Sequence, residues 1–506
     1  MMLLQVTLAA AQDQKVAAPV FTRADPPKIA WDKKIEVATG GGYRGPWRMN
    51  DSDFRYVDDP TVAINEKGVV GVAWADQARK DIFFQAFEPD GKPRFEKAVN
   101  VSRSPRIFSW LPRLVMASRN AGEVYILWQE IVFSGGSHGG EIFFARSTDG
   151  GSSFSDPVNL SNTPAGDGKG RLTREYWHNG SLDLVVGPEG NLYAAWTEYE
   201  GALWVSRSTD RGARFFPPLQ VASQGIGTPA RGPSLAVDGA GVIYLAWTVG
   251  EDRAADIHLA KSTDRGRSFS KPRPVFQTDG HADAPKIAVD GNGTVHLAYA
   301  ESPAGPFQRY RIHYSRSNDG GRAFEKPREI SGPQTEQLAS AHFPALSVDG
   351  KGNVYVIWEM YTRPVSYPRG LGFASSSVGG RTFAPASVIP GSIEPGQGVN
   401  GSLQGLLMRK LAVNRAGAMA IVNSTFWANE RSHVWLLRGQ AESPRTLGRS
   451  LTPCRDWSGA SPDDGRVRAH QCRMGDVAAF AALCRMGDVA AFAALRDEMG
   501  DVAVFV

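Results

Sequence analysis

PSLAVDGAGVIYLAW, Pro233 to Trp247, is a β-hairpin in residue form. Apolar side chains alternate after the opening proline, Asp238-Gly239-Ala240-Gly241 supplies a turn, and an aromatic-rich run returns. Alternation on both sides of a Gly-containing turn fits two short antiparallel strands with one face buried. The pattern recurs as PTVAINEKGVVGVAW from Pro60, PRLVMASRNAGEVYILW from Pro112, SLDLVVGPEGNLYAAW from Ser181, PKIAVDGNGTVHLAY from Pro285 and PALSVDGKGNVYVIW from Pro344. A weaker seventh, LAVNRAGAMAIVNS, starts at Leu411.

Each hairpin is followed by a third strand and then, in four copies, by S-x-D-x-G-x-x-F: Ser147 to Phe154, Ser208 to Phe215, Ser262 to Phe269 and Ser317 to Phe324. EPDGKPRF from Glu88 and SSVGGRTF from Ser376 are degenerate copies, the second with Val378 in place of the Asp. Chemically the octet suits a tight turn: Asp accepts backbone N–H bonds, Gly takes the open dihedral, and Phe anchors inward. Short runs such as PVNLS, PLQVAS, RPVFQT and REISG supply a fourth strand. Four strands per repeat is the content of one propeller blade. Seven hairpins therefore predict an all-β chain folded as a single β-propeller of about seven four-stranded blades over residues 12–440. KKIEVATG near residue 35 reads as a fourth strand without its first three, and HVWLLRG from His433 as a third strand without its fourth. The two ends are expected to close the ring together, removing exposed sheet edges. Trp74, Trp128, Trp196, Trp247 and Trp358 recur at matching places and are read as core.

Composition agrees with many short strands: 42% of the 506 residues are hydrophobic, and 55 Gly and 32 Pro punctuate them. A formal net charge of +4, with Lys and Arg scattered, gives no footprint for nucleic acid. All three cysteines lie late, at Cys454, Cys472 and Cys484, so the body has no disulfide and no thiolate metal site. No run of about 18 apolar residues suggests a membrane span. MMLLQVTLAAAQDQ, with Ala9-Ala10-Ala11, reads as the remnant of a signal peptide over residues 1–11 and places the protein outside the cytoplasm, secreted or periplasmic. Residues 441–506 form a C-terminal tail, helical or disordered, in which the twelve-residue stretch CRMGDVAAFAAL is duplicated in tandem.

The octet is the Asp-box, and over about residues 34–440 the chain resembles the sialidase superfamily. The resemblance implies activity on glycans, three arginines for a substrate carboxylate, a Tyr nucleophile activated by Glu, and an Asp acid/base. WADQARKDIFF resembles the stretch after the first hairpin of that family and offers Arg79 as a carboxylate-binding arginine and Asp81 as acid/base. QRYRIHYSRSNDGG offers Arg309 or Arg311 as the second arginine, and Arg369 ahead of SSVGGRTF is a third. The family has six blades, which is the alternative count here. It also opens its first hairpin with Arg-Ile-Pro, where this chain has Asp58-Asp59-Pro60. An acidic pair there repels a substrate carboxylate, which argues against sialic acid.

Propeller ligands sit where the innermost strands begin, so the loops entering each hairpin and leaving its second strand carry the functional candidates. RLTREYWHNG, Arg171 to Gly180, is the densest of these segments. It supplies Arg174 as substrate-binding and Glu175, Tyr176 and His178 as catalytic candidates, to which other entering loops add Arg231, His281, Asp283 and His342. The exiting loops add Glu130, His138, Glu301, Glu359 and Tyr361. Arg231 and His342 complete the substrate-binding set. The expected function is a secreted glycoside hydrolase of sialidase-like type, with a glycan as partner and no cofactor. The alternative is a propeller that binds glycan or protein without catalysis. In MNDSDFRYVDD the acids Asp51, Asp53, Asp58 and Asp59 are read as solvated loop carboxylates in preference to a calcium site.

Overall fold

The computed structural model describes residues 27–442, apart from segments of which 118–121, 132–139, 163–181, 199–200, 223–228, 333–338 and 404–408 are the longest. Arg174, Glu175, Tyr176, His178 and His138, the signal stretch and the duplicated tail lie outside the described residues.

Within them the chain builds seven antiparallel blades. Their innermost strands are, in order, Val57–Ile64, Ser109–Met116, Leu182–Val186, Ala230–Val237, His281–Val289, Ser340–Val348 and Leu411–Val413. Blades 1 to 6 add three further strands each, in sequence order. Blade 7 takes Ala418–Trp427 and Arg431–Ala441 from the end of the propeller and its outer strand, Ile35–Gly41, from the start. Ile29–Trp31 extends the same edge. Seven blades and closure by the N-terminal strand match the sequence expectation.

Packing follows from the repeated aromatic on each second strand. Trp74 lies opposite Phe83, Trp128 opposite Phe143, Trp196 opposite Trp204 and Trp247 opposite His258. The first two pairs stack with ring centroids 6.2 Å apart. In blade 6 Trp358 faces Gly372, where a β-carbon would stand 2.2 Å from the indole nitrogen, so only glycine fits. All five tryptophans are buried in core clusters between blades. Burying side chains of this size is the dominant stabilising term of such a fold.

Asp-boxes lock each blade to the one before. In blade 2 Ser147 Oγ donates to Asp149 (2.7 Å) and accepts from Gly151 N (2.9 Å), while Asp149 accepts from Ser153 N (3.0 Å). Blades 3, 4 and 5 repeat this at Ser208, Ser262 and Ser317. The terminal Phe then reaches back: Phe154 lies edge-on to Phe84 of blade 1 at 5.5 Å, and Phe215 to Phe144 of blade 2 at 4.8 Å. Blade 6 keeps the Ser376 contact to Gly380 N (3.0 Å) and the Phe383 anchor on Tyr314 (4.7 Å), so the packing persists in the degenerate copy.

Candidate functional site

A one-residue bulge interrupts the innermost strand of five blades, always immediately before a proline. Proline removes a ladder donor, so the strand tolerates it only where pairing is already broken. The residue ahead of it adopts positive φ in every case: Asp59 (54°), Leu111 (58°), Gly232 (61°), Ala284 (57°) and Phe343 (51°). For the four that are not glycine this is a strained conformation, held because the flanking strands fix it. The turn sits where the innermost strands begin and sets the side chain before it: Asp58, Trp110, Arg231, Asp283 and His342.

On blades 4, 5 and 6 these side chains meet. Arg231 Nη1 lies 3.3 Å from Asp283 Oδ1, and its Nε donates to Gly250 O at 2.8 Å. Arg231 Nη2 donates to His281 Nε2 at 3.1 Å, while His281 Nδ1 donates to Asp252 O at 2.5 Å. Both contacts are hydrogen bonds only for the neutral ring protonated on Nδ1. Burial, aided by the Arg231 charge, accordingly lowers the His281 pKa to about 4. Burial opposes the charge of Asp283, but Arg231 and His342 outweigh it and hold the carboxyl well below its ordinary value. His342 Nε2 stands 3.6 Å from Asp283 Oδ2, and its ring stacks on Tyr310 at 4.1 Å and 7°. Burial and the Asp283 charge push the Tyr310 phenol up.

The cluster continues into blade 7. His342 and Glu359 are direct cross-strand partners in blade 6, with β-carbons about 5 Å apart by sheet geometry. Tyr361 donates to Glu359 Oε2 at 2.5 Å, and Lys410 binds the other carboxylate oxygen. Lys410 also donates to Asn423 Oδ1 at 2.8 Å. Burial and the Glu359 charge raise the Tyr361 pKa well above its usual value. An ionisable wall thus runs across four blades through Arg231, Asp283, His342, Glu359 and Lys410, with Tyr310 and Tyr361 packed on it.

The other sequence candidates stand elsewhere. Asp81 is buried and accepts from Asn100 Nδ2 (2.7 Å), Ser102 Oγ (2.6 Å) and Ser104 N (2.7 Å), so it fastens the crossover from blade 1 to blade 2. Arg79 is 67% exposed, pairs with Asp76 at 3.6 Å and lies over Phe83. Arg311 opens the third strand of blade 5, directly opposite Glu301, and burial lowers its pKa. Arg369 donates to Gly398 O at 2.7 Å and helps bridge blades 6 and 7. The sequence reading of Asp58 and Asp59 as solvated carboxylates is overturned: both are buried, and Asp58 accepts from Ser424 Oγ and from Leu403 N at 2.8 Å. Strand bulging draws that acidic pair inward, which alternation alone does not reveal. Asp51 and Asp53 are exposed.

Fold and site define an all-β propeller with Asp-box turns. No family profile and no curated protein matches the sequence. Among solved structures, a PL25 ulvan lyase bound to a GlcA–Rha3S unit matches with a TM-score of 0.51 and 12% identity, over 79% of this chain and 95% of that one. The GH93 α-L-arabinofuranosidase of Fusarium graminearum with arabinobiose matches with a TM-score of 0.42 and 13% identity, over 64% and 91%. The intramolecular trans-sialidase of Ruminococcus gnavus with oseltamivir carboxylate matches with a TM-score of 0.44 and 13% identity, over 64% and 94%. These neighbours are carbohydrate-active enzymes, all at low identity.

Proposed function

We propose that this chain is an exported enzyme that cleaves glycans at the channel mouth of blades 4 to 7, by reaction class a glycoside hydrolase. The row of ionisable groups from Arg231 to Lys410 carries the reading, because it gathers proton donors, proton acceptors and a phenol at the end of the propeller where the innermost strands begin. Tyr361 held on Glu359 is a nucleophile with its base already in contact, and a neutral phenol approaches an anionic sugar without repulsion. Arg231 keeps Asp283 ionised, and His342, 3.6 Å from Asp283 Oδ2 with its side chain 15% exposed, is the group placed to exchange the proton with the leaving oxygen. The Ala9-Ala10-Ala11 run supports export.

One observation favours a second reading, β-elimination from a uronate-bearing glycan. His342 stacked on Tyr310 is a base and acid pair without a carboxylic acid, whereas Asp283 is held ionised and so is no proton donor. Incubation with neutral, sialylated and uronate-rich glycans separates the two. Hydrolysis yields saturated reducing ends and is lost in Tyr361→Phe; elimination yields an ultraviolet-absorbing unsaturated sugar and is lost in Tyr310→Phe. Saturable glycan binding with no product at all would overturn both in favour of a non-catalytic binder.

A further inference from the structure

Two neighbouring connections at the mouth each present an exposed aromatic ring and an exposed arginine. In blade 5 the second strand, Val295–Ser302, joins the third, Arg311–Ser317, through residues 303–310, which hold Phe307 and Arg309. In blade 6 the second strand, Val354–Tyr361, joins the third, Pro368–Ser376, through a shorter connection that holds Arg363 and Tyr367. The two connections stand side by side, because Ser340 lies at the base of both. Its Oγ accepts from Tyr310 N at 3.0 Å, and it is the ladder partner of Tyr361. Tyr310 and Tyr361 are the phenols packed on the ionisable row, so each connection is rooted in that row.

Given the glycan reading of the mouth, on which this rests, we infer that the two connections form a rim subsite for an anionic glycan. Phe307 and Tyr367 each stack on a sugar ring, and Arg309 and Arg363 each hold a carboxylate or sulfate of the same chain. Backbone strain supports this first. Phe307 adopts a φ of 57°, an outlier for a bulky side chain, while its ring is 39% exposed. Strain borne by a residue whose ring stays at the surface is the pattern of a ligand clamp. A hydrogen bond from the Phe307 backbone to the Tyr310 phenol ties that geometry to the row. Tyr367 is 52% exposed, and Arg363 N and O both bond Ser366 Oγ, at 3.3 and 2.8 Å, which closes the turn that leads to it.

Charge supports it second. Residues 303–310 and 362–367 contain two arginines and no acid, and both arginines are exposed. A guanidinium fork matches a carboxylate or a sulfate bidentately, and an aromatic ring offers a large apolar face of fixed geometry to the apolar face of a sugar. One ring and one fork on each of two adjacent blades give two sugar units of one chain the same pair of contacts. A neutral glycan meets only the aromatic half of each pair.

The test is binding of the full chain to oligomers of polygalacturonate, of dextran sulfate and of uncharged dextran by isothermal titration calorimetry, with product release followed in parallel. Wild type is expected to bind one or both anionic oligomers roughly tenfold more tightly than dextran, and the two anionic arms tell carboxylate from sulfate. Phe307→Ala and Tyr367→Ala each weaken that binding roughly tenfold; neither removes a charge, so a diffuse attraction between a basic protein and a polyanion leaves both unchanged. Arg309→Gln and Arg363→Gln each reduce the preference for the anionic oligomer over dextran. Equal affinity for all three oligomers, binding of none, or wild-type affinity in both aromatic variants overturns the subsite. Binding that is weakened in the variants while wild type releases no product keeps the subsite and removes the enzyme. Product release with unchanged affinity in the variants keeps the enzyme and removes the subsite.

Discussion

His281 is expected to make this propeller acid-labile in a defined window, and a single substitution isolates the effect. Its pKa is about 4 in the fold against 6.5 for the free side chain. The unfolded chain therefore binds the proton more tightly than the folded one, so protonation favours unfolding. The stability that neutral His281 contributes is intact above pH 6.5 and is lost as pH falls toward 4. At 1.36 kcal/mol per pKa unit, the linked loss between pH 7.5 and pH 5 is about 2 kcal/mol. Lys286 adds under about 1 kcal/mol in that window, because its folded value of about 7 against 10.5 places most of its own loss at higher pH. Asp283, held well below the ordinary carboxylate range by Arg231, contributes at lower pH still. Urea unfolding followed by tryptophan fluorescence at both pH values, on wild type and His281→Gln, measures the difference directly. Glutamine keeps a donor for Asp252 O but cannot take up a proton. Wild type is expected to lose about 2 kcal/mol more than the variant on acidification; equal losses in the two proteins would refute the assignment of His281 as a buried neutral ring.

Three further outcomes follow from the architecture. Asp149→Ala removes the acceptor for Ser147 Oγ, Ser153 N and Ser153 Oγ, and is expected to lower stability by about 1–2 kcal/mol in chemical denaturation, with no change in blade content by circular dichroism. Deleting residues 1–41 takes away Ile29–Trp31 and Ile35–Gly41 and exposes the strand Arg431–Ala441, so the product should associate in gel filtration; a stable monomer would falsify closure by the N-terminal strand. Ala284→Gly relieves a positive φ of 57° on a non-glycine residue and is expected to raise stability by up to about 1 kcal/mol, read as a higher urea midpoint at unchanged slope.

The fold was legible because its determinants are local. A hairpin such as Pro233 to Trp247 and a box such as Ser262 to Phe269 each complete their decisive contacts within a few residues, so a one-dimensional reading sees them whole. The wall at the mouth is assembled differently. Arg231 and His281 are separated by 50 positions, and Glu359 and Lys410 by 51, so one repeat length divides each pair. Arg231, His342, Glu359 and Tyr361 were visible as loop residues, but nothing in a single chain says which loops converge. Tyr310 lies between Arg309 and Arg311, the charged residues that the family resemblance singles out, and its neutral ring carries no signal of its own in the sequence. Its ring proves to be the stacking platform for His342. Asp81 shows the opposite error of emphasis: a motif resemblance selected it, while three acceptor bonds make it a brace between two blades.

The pre-proline bulge explains how one scaffold separates architecture from chemistry. The same strained turn recurs at the start of five blades, yet the side chain it presents is put to two uses. On blade 1 it offers Asp58, which binds Ser424 Oγ and Leu403 N and so ties the first blade to the last. On blade 2 it offers Trp110, whose indole donates to Gln77 at 2.7 Å and ties blade 2 to blade 1. Both side chains are consumed by closure of the ring. On blades 4, 5 and 6 the turn offers Arg231, Asp283 and His342, which pair with one another across adjacent blades. The mouth is therefore asymmetric: the side of the ring that must be fastened is stitched with its bulge residues, and the opposite side is left to carry ionisable groups. A backbone device common to the repeats fixes where the groups point, and substitution at a single position per blade decides what they do.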